Sequence, residues 1–187
     1  MVHKIIFASH RYYKPIAELQ YLSHTETFCD FADESWIAKR NLTEYQDFWD
    51  RHFRNQRPRE FTWVILVENQ TIGTISIISL ENSSRLFRPT NLSNLADKDI
   101  ACLRLMYINP KYIRQGYGSQ LIKVAFRFMQ ENKYQQGVLI THAANKRARM
   151  FYEANGWVLD RIIDEQVEEF YKDPLEMRLR ARYHFPM

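Results

Sequence analysis

The run Arg114, Gln115, Gly116, Tyr117, Gly118, Ser119 has the residue types and spacing to bind an anion. Two glycines let the backbone approach a ligand closely, and several N–H groups at a helix start point one way, which suits a pyrophosphate. A tight strand-to-helix connection would use the same residues for purely structural ends. A dinucleotide-binding turn would want a third glycine where Leu121 stands, and a P-loop would want Lys and Ser/Thr where Ser119 and Gln120 stand. Neither alternative fits. A second run, Asn145 to Trp157, has an N-cap at Asn145, a small packing residue at Ala148, two aromatics at Phe151 and Tyr152, and a C-cap at Gly156. Just upstream of the glycine turn, strict alternation puts Cys102, Arg104 and Met106 on one face of a strand, although a bulge would reset the phase. An arginine there either holds a carboxylate or phosphate of a ligand or is a solvated or salt-bridged strand residue. Cys102 lacks the His and Asp partners that a cysteine nucleophile needs.

These groups must be positioned by the surrounding elements. Lys4 to Phe7 reads as a short strand, and Pro15 suits the first turn of a helix through Leu19 and Leu22. Thr43 with Gln46 has the pattern of a capping box for a helix bearing Phe48, Trp49 and Phe53. Phe61 to Val67 and Ile72 to Leu80, joined by a polar turn, read as a hairpin, and residues 81–99 as a long loop. A strand over 101–108 ends at Asn109 and Pro110. Helical spacing of Leu121, Ile122, Ala125, Phe128 and Met129 makes 118–132 an amphipathic helix. A strand at 138–141, a helix at 145–155, a strand at 157–163 and a last strand at 176–183 follow. The fold class is therefore α/β with a mixed sheet, helices on both faces, and a parallel strand–helix–strand unit in the middle.

Composition bounds the rest. A chain of 187 residues, 45% hydrophobic, is most simply one domain with a continuous core. Two cysteines fit neither a disulfide scaffold nor a four-ligand zinc site, so a reducing cytoplasm and no metal are expected. Apolar runs fall short of a membrane span, and no signal-peptide core follows Met1. The net charge of +4 favours anionic ligands. A nucleotide-like cofactor satisfies it as readily as nucleic acid, and the basic residues form no long arm, so nucleic acid is not an expected partner.

Residues 113–118 resemble the signature Q/R-x-x-G-x-G/A of the GNAT superfamily of N-acetyltransferases, with Ile113 where that family usually has Gln or Arg. Residues 145–157 are similar to its N-x-x-A-x-x-F-Y-x-x-x-G-F. The resemblance implies a single domain over 1–187 with a central, mostly antiparallel sheet of about seven strands. Within it, 1–60 is a helical acceptor-side segment, 61–100 a hairpin and loop, 101–163 the CoA-binding core and 164–187 a C-terminal strand. It implies acetyl-CoA as co-substrate and a primary amine of a small molecule or peptide as acceptor; a CoA-binding module without catalysis is the alternative. The strand end Met106, Tyr107, Ile108 would pair with the pantetheine arm as an added strand. The Met106 amide would meet the acetyl carbonyl, the turn Ile113 to Ser119 the pyrophosphate, and Asn145, Ala148, Phe151 and Tyr152 the rest of the cofactor. Tyr152 would protonate the departing thiolate. The carboxylate bases of better-defined branches are replaced by Cys102 and Ile140. That leaves ordered water, His142, Glu26 or His24 as routes for the amine proton, with Arg104, His24 and Glu26 as candidate acceptor contacts. A homodimer is left open.

Overall fold

The computed structural model describes residues 3–84, 87–89, 92, 94–164 and 179–187. One mixed sheet organises them, in the order β1-β2-β3-β4-β5-β7-β6. Its strands are β1 (His3–Phe7), β2 (Glu60–Val67), β3 (Gln70–Ser79), β4 (Ile100–Ile108), β5 (Gln136–His142), β6 (Val158–Asp164) and β7 (Leu179–Pro186). All neighbours are antiparallel except β4 and β5, the parallel pair joined by a helix. The helices are α1 (Tyr13–Leu22), α2 (Glu34–Ala38), α3 (Leu42–Arg54), α4 (Tyr117–Glu131) and α5 (Lys146–Ala154). Among the described residues no helix is long and apolar enough to cross a membrane.

Local chemistry explains most boundaries. Glu68 and Asn69 both take positive φ, 50° and 65°, the two-residue turn whose twist suits a hairpin, so β2 and β3 are set by it. Asn41, not Thr43, caps α3: its side chain accepts the Thr43 amide at 2.9 Å. The capping-box expectation is thus corrected, because Asn one residue before the helix reaches the orphan amide first. The short helix α2 is capped by Asp33, which accepts from the Trp36 amide at 2.7 Å; the sequence patterns did not resolve it as a separate element. The last strand begins at Leu179 and runs to Pro186; residues 176–178, where it was expected to start, lie outside the described residues.

The two faces of the sheet bury different helices. Ile65, Ile75, Ile77, Leu103 and Leu139 pack with Leu121, Ile122 and Met129 of α4 and Tyr152 of α5. Val64, Leu66 and Leu105 pack on the other face with Ile16 of α1 and Trp49 of α3. Trp49 is fully buried, and its indole N–H donates to Gln20 at 2.8 Å, locking α3 to α1.

A bulge in β4 decides where the site's side chains point. Ser76 of β3 pairs with Leu105 and the next residue, Ile77, pairs with Leu103, so Arg104 is the extra residue. Cys102 lies in the core beneath Ile78 and Val138, Leu105 faces α1 and α3, and Met106 packs toward α4 and α5. The alternation that put Met106 on the face of Cys102 and Arg104 is therefore corrected.

Candidate active site

β4 and β5 pair only from Ile100 with Gln136 to Leu103 with Leu139, and then part. Beyond that point the β5 side of residues 104–108 has no strand partner among the described residues. The Asn109 amide donates across β3 to the Ile72 carbonyl at 2.8 Å. Alternation along the strand then turns the Leu105 and Tyr107 amides to β3 and those of Met106 and Ile108 to the open side. A cleft of about 1280 Å³ opens there, walled by the ends of β4 and β5, the turn before α4, α5, and the segment from α1 to α2.

The turn holds its N–H groups in a concave arrangement. Arg114 has φ of 63° and Gly116 of 82°, left-handed residues on either side of Gln115, and Gly116 is the N-cap of α4. Such alternation makes an anion-binding nest, and the helix start adds its dipole. A Cβ on Gly116 would meet nothing within 4 Å, so glycine is required there by backbone conformation, not by space. Gly118 is crowded by side chains: a Cβ would lie 3.2 Å from the Phe151 ring and 3.3 Å from the Met106 methyl, so those side chains would have to shift by a few tenths of an ångström. That contact draws the start of α4 against α5 and the end of β4.

Helix α5 is pinned at both ends. Asn145 accepts the Ala148 amide at 3.0 Å. Gly156, at φ of 84°, closes the helix, with the Trp157 amide on the Tyr152 carbonyl at 3.1 Å and the Gly156 amide on Glu153 at 3.0 Å. Tyr183 of β7 donates to Glu153 at 2.8 Å and accepts from Arg149 at 3.1 Å, tying the helix to the sheet. Tyr152 is thus held on a short, doubly capped helix, lining the cleft, with burial pushing its phenol well above the usual range. Burial does the same to Tyr107, whose hydroxyl also feels Tyr45 and Tyr152.

Of the residues singled out for the cofactor, Met106, Tyr107, Ile108, Ile113, Arg114, Gly116, Gly118 and Ser119 line the cleft, with Asn145, Ala148, Phe151 and Tyr152 opposite. Two side chains do not. Gln115 turns back to the Lys111 carbonyl at 3.0 Å, and Tyr117 is buried against Tyr112 and His3. Their place in the turn is carried by the backbone alone.

The acceptor side needs more correction. Glu26 is exposed and lies outside the cleft lining. The one-turn π-helix at Ser23–Thr27 directs His24 inward instead. His24 lines the cleft with its Nδ1 2.6 Å from the Tyr45 hydroxyl, and burial, then the Arg40 charge, lowers its pKa to about 3. An imidazole so weakly basic cannot take the proton of an ammonium near neutrality. Arg104 lines the cleft but gives its guanidinium to Glu60 at 2.5 Å, a buried carboxylate also 3.5 Å from His52, so the salt-bridged alternative holds. His142 accepts at Nδ1 from Arg180 at 2.9 Å; since Arg only donates, that lone pair is occupied. Cys102 is buried with its thiol pushed far up, away from any nucleophilic role.

Sequence patterns missed the wall opposite the cofactor side. Phe28 and Trp36 stack at 5.8 Å between ring centres, His24 lies 4.5 Å from Phe28, and His142 reaches across from β5 to Phe28 at 5.2 Å. Arg40 lies 4.0 Å over the Trp36 ring. The four-residue spacing of Trp36 and Arg40 on a helix end was the one local signal available. No cluster of metal-ligating side chains occurs among the described residues.

The mixed seven-strand sheet parts beside the anion-binding turn, and the Tyr152 phenol lies at the parting. The family model of the acetyltransferase (GNAT) family matches residues 23–157, and the chain belongs to that family. It is 28% identical over 137 residues to N-alpha-acetyltransferase 30 of Xenopus laevis, covering 73% of this chain and 45% of that protein. The same comparison with N-alpha-acetyltransferase 30 of Homo sapiens gives 28% over 126 residues, 67% of this chain and 31% of the relative. The chain therefore spans less than half the length of these relatives. PaiA N-acetyltransferase from Thermoplasma acidophilum, solved in complex with coenzyme A, shares the fold at a TM-score of 0.68 and 18% identity, over 100% of both chains. An N-acetyltransferase from Staphylococcus aureus Mu50 does so at 0.69 and 16%, over 100% of this chain and 99% of the other.

Proposed function

We propose that the protein moves the acetyl group of acetyl-CoA to a primary amine of a small molecule or peptide by direct attack, without an acyl-enzyme. The observation that carries this reading is the parting of β4 and β5, which leaves the Met106 and Ile108 amides facing the cleft between the phosphate turn and Tyr152. The pantetheine arm would add to that open edge as a strand, its pyrophosphate in the nest at Arg114 to Gly116. The name of the N-alpha-acetyltransferase relatives supports a free α-amine as the acceptor group.

In this reading the amine nitrogen bonds the thioester carbonyl carbon, and the Met106 N–H stabilises the oxyanion that develops, a donor worth about 3 kcal/mol. The C–S bond then breaks, and the Tyr152 phenol donates to the leaving sulfur. With His24 too weakly basic, Glu26 outside the cleft and the His142 Nδ1 occupied, ordered water takes the amine proton.

Thiol release from acetyl-CoA in the presence of amino acids, peptides, polyamines and aminoglycosides tests the proposal, with the melting temperature as a binding control. Acetyl-CoA at a hundredfold excess over Kd should stabilise the fold by about 2.7 kcal/mol. Stabilisation without thiol release against any of these amines would overturn acetyl transfer and favour a CoA-binding module.

A further inference from the structure

The acceptor wall has a chemical character of its own, and it bears on which amine the cleft takes. Arg40 follows α2, its Nε donates to the Trp36 carbonyl at 3.1 Å, and its guanidinium lies over the Trp36 ring. Stacking, that bond and a side-chain hydrogen bond to the Tyr45 hydroxyl hold it in place without neutralising it: among the described residues Arg40 forms no ion pair. Its charge is felt inside the cleft, since it depresses the protonation of His24 and acts on the Tyr45 hydroxyl. The arginine the sequence drew attention to, Arg104, is by contrast neutralised by Glu60.

The described residues of the same wall offer little to a cation. Asp30 is the one acidic side chain among the described residues lining the cleft, and it pairs with Arg147 at 3.1 Å. A polyamine or aminoglycoside would bring several charges beside Arg40, and among the described residues lining the cleft no unpaired carboxylate receives them. The stacked rings of Phe28 and Trp36, with uncharged His24 beside them, give an apolar surface next to the guanidinium. A partly desolvated guanidinium with open donors recognises a carboxylate strongly, because charge-assisted bonds gain strength where water is scarce.

Resting on the acetyl-transfer reading, we infer that the acceptor is an amine bearing a carboxylate beside an apolar or aromatic body, with Arg40 on its anion and Trp36 and Phe28 against its body. Two sources share that chemistry: a free amino acid, through its α-carboxylate, and a peptide with an acidic side chain near its amino terminus.

Matched acceptors test it in the full chain. L-phenylalanine is compared with L-phenylalanine amide, and the tetrapeptide amide Ala-Glu-Phe-Ala with Ala-Gln-Phe-Ala, by thiol release at saturating acetyl-CoA; spermidine serves as the cationic competitor. The anionic member of at least one pair should have kcat/KM about tenfold higher, and which pair responds identifies the source. Arg40→Gln should bring that ratio close to one through KM, Arg40→Lys should keep part of it, and both should retain the wild-type melting temperature and CoA affinity. Spermidine as the best acceptor, equal rates within both pairs, or a ratio untouched by Arg40→Gln would each overturn the inference while acetyl transfer stands. Turnover of no amine at all, with CoA still bound, would overturn acetyl transfer and this inference with it.

Discussion

The two walls of the cleft are made differently. On the cofactor side, the important groups are backbone amides held by glycines and caps: Gly116 at positive φ, Gly118 against Phe151, Asn145 and Gly156 at the ends of α5. On the acceptor side they are side chains from α1, α2, α3 and β5 that meet only in the folded chain, as His24 meets Tyr45, Trp36 and His142's neighbours. A backbone cradle tolerates exchange of exposed side chains but not of its glycines. A side-chain wall should behave the opposite way, keeping its backbone while changing specificity with single substitutions.

The sharpest test of the cofactor wall is Tyr152→Phe, which should lower kcat by about 100- to 1,000-fold while leaving CoA affinity nearly unchanged. Steady-state thiol release alongside calorimetric CoA titration separates the two; parallel loss of both would make Tyr152 a packing residue. Next comes the acceptor wall's acid sensitivity. His24 titrates at about 3 in the folded chain against 6.5 unfolded, so as pH falls below 6.5 the unfolded chain takes up a proton that the folded chain does not. Stability should drop with falling pH through that window, by up to about 2 kcal/mol between pH 7 and pH 5. His24→Asn should lose this component, read from urea midpoints at the two pH values; identical pH slopes would show His24 exposed to solvent.

Gly116→Val asks whether the turn's conformation matters as conformation. A β-branched residue held left-handed costs about 1–2 kcal/mol, so CoA Kd should rise roughly tenfold while the core is spared. An unchanged Kd would remove the turn from CoA binding. The smallest effect is expected where the walls touch, at Arg147 and Asp30, whose side chains are 50% and 60% exposed. Arg147→Ala should cost less than about 1 kcal/mol in thermal unfolding, as exposed ion pairs do. A larger loss would mean that this pair holds the acceptor wall shut.

Much of the cofactor wall could be read in the linear chain because its determinants are local. Gly116, Gly156, Asn145 and the Glu68–Asn69 turn each act within a few residues of themselves. Even there, side-chain direction was not legible: Gln115 and Tyr117 sit in the turn and point elsewhere. The bulge at Arg104 escaped a period-two pattern because it depends on how β3 pairs, not on the residues of β4. The acceptor wall was legible only in its composition. Glu26 and His24 are two residues apart, yet the π-helical turn puts His24 into the cleft and Glu26 in solvent.

The sequence by itself determined the order of the strands and of every helix but α2, the anion-binding turn and the two-ended capping of α5, since these follow from φ preferences and hydrogen bonds over short spans of chain. Only the tertiary structure decided which charges remain available in the cleft. Glu60 lies 44 residues from Arg104 and neutralises it, while no described carboxylate reaches Arg40. Coulomb energy depends on distance and local polarity, and neither is set until the sheet and helices pack.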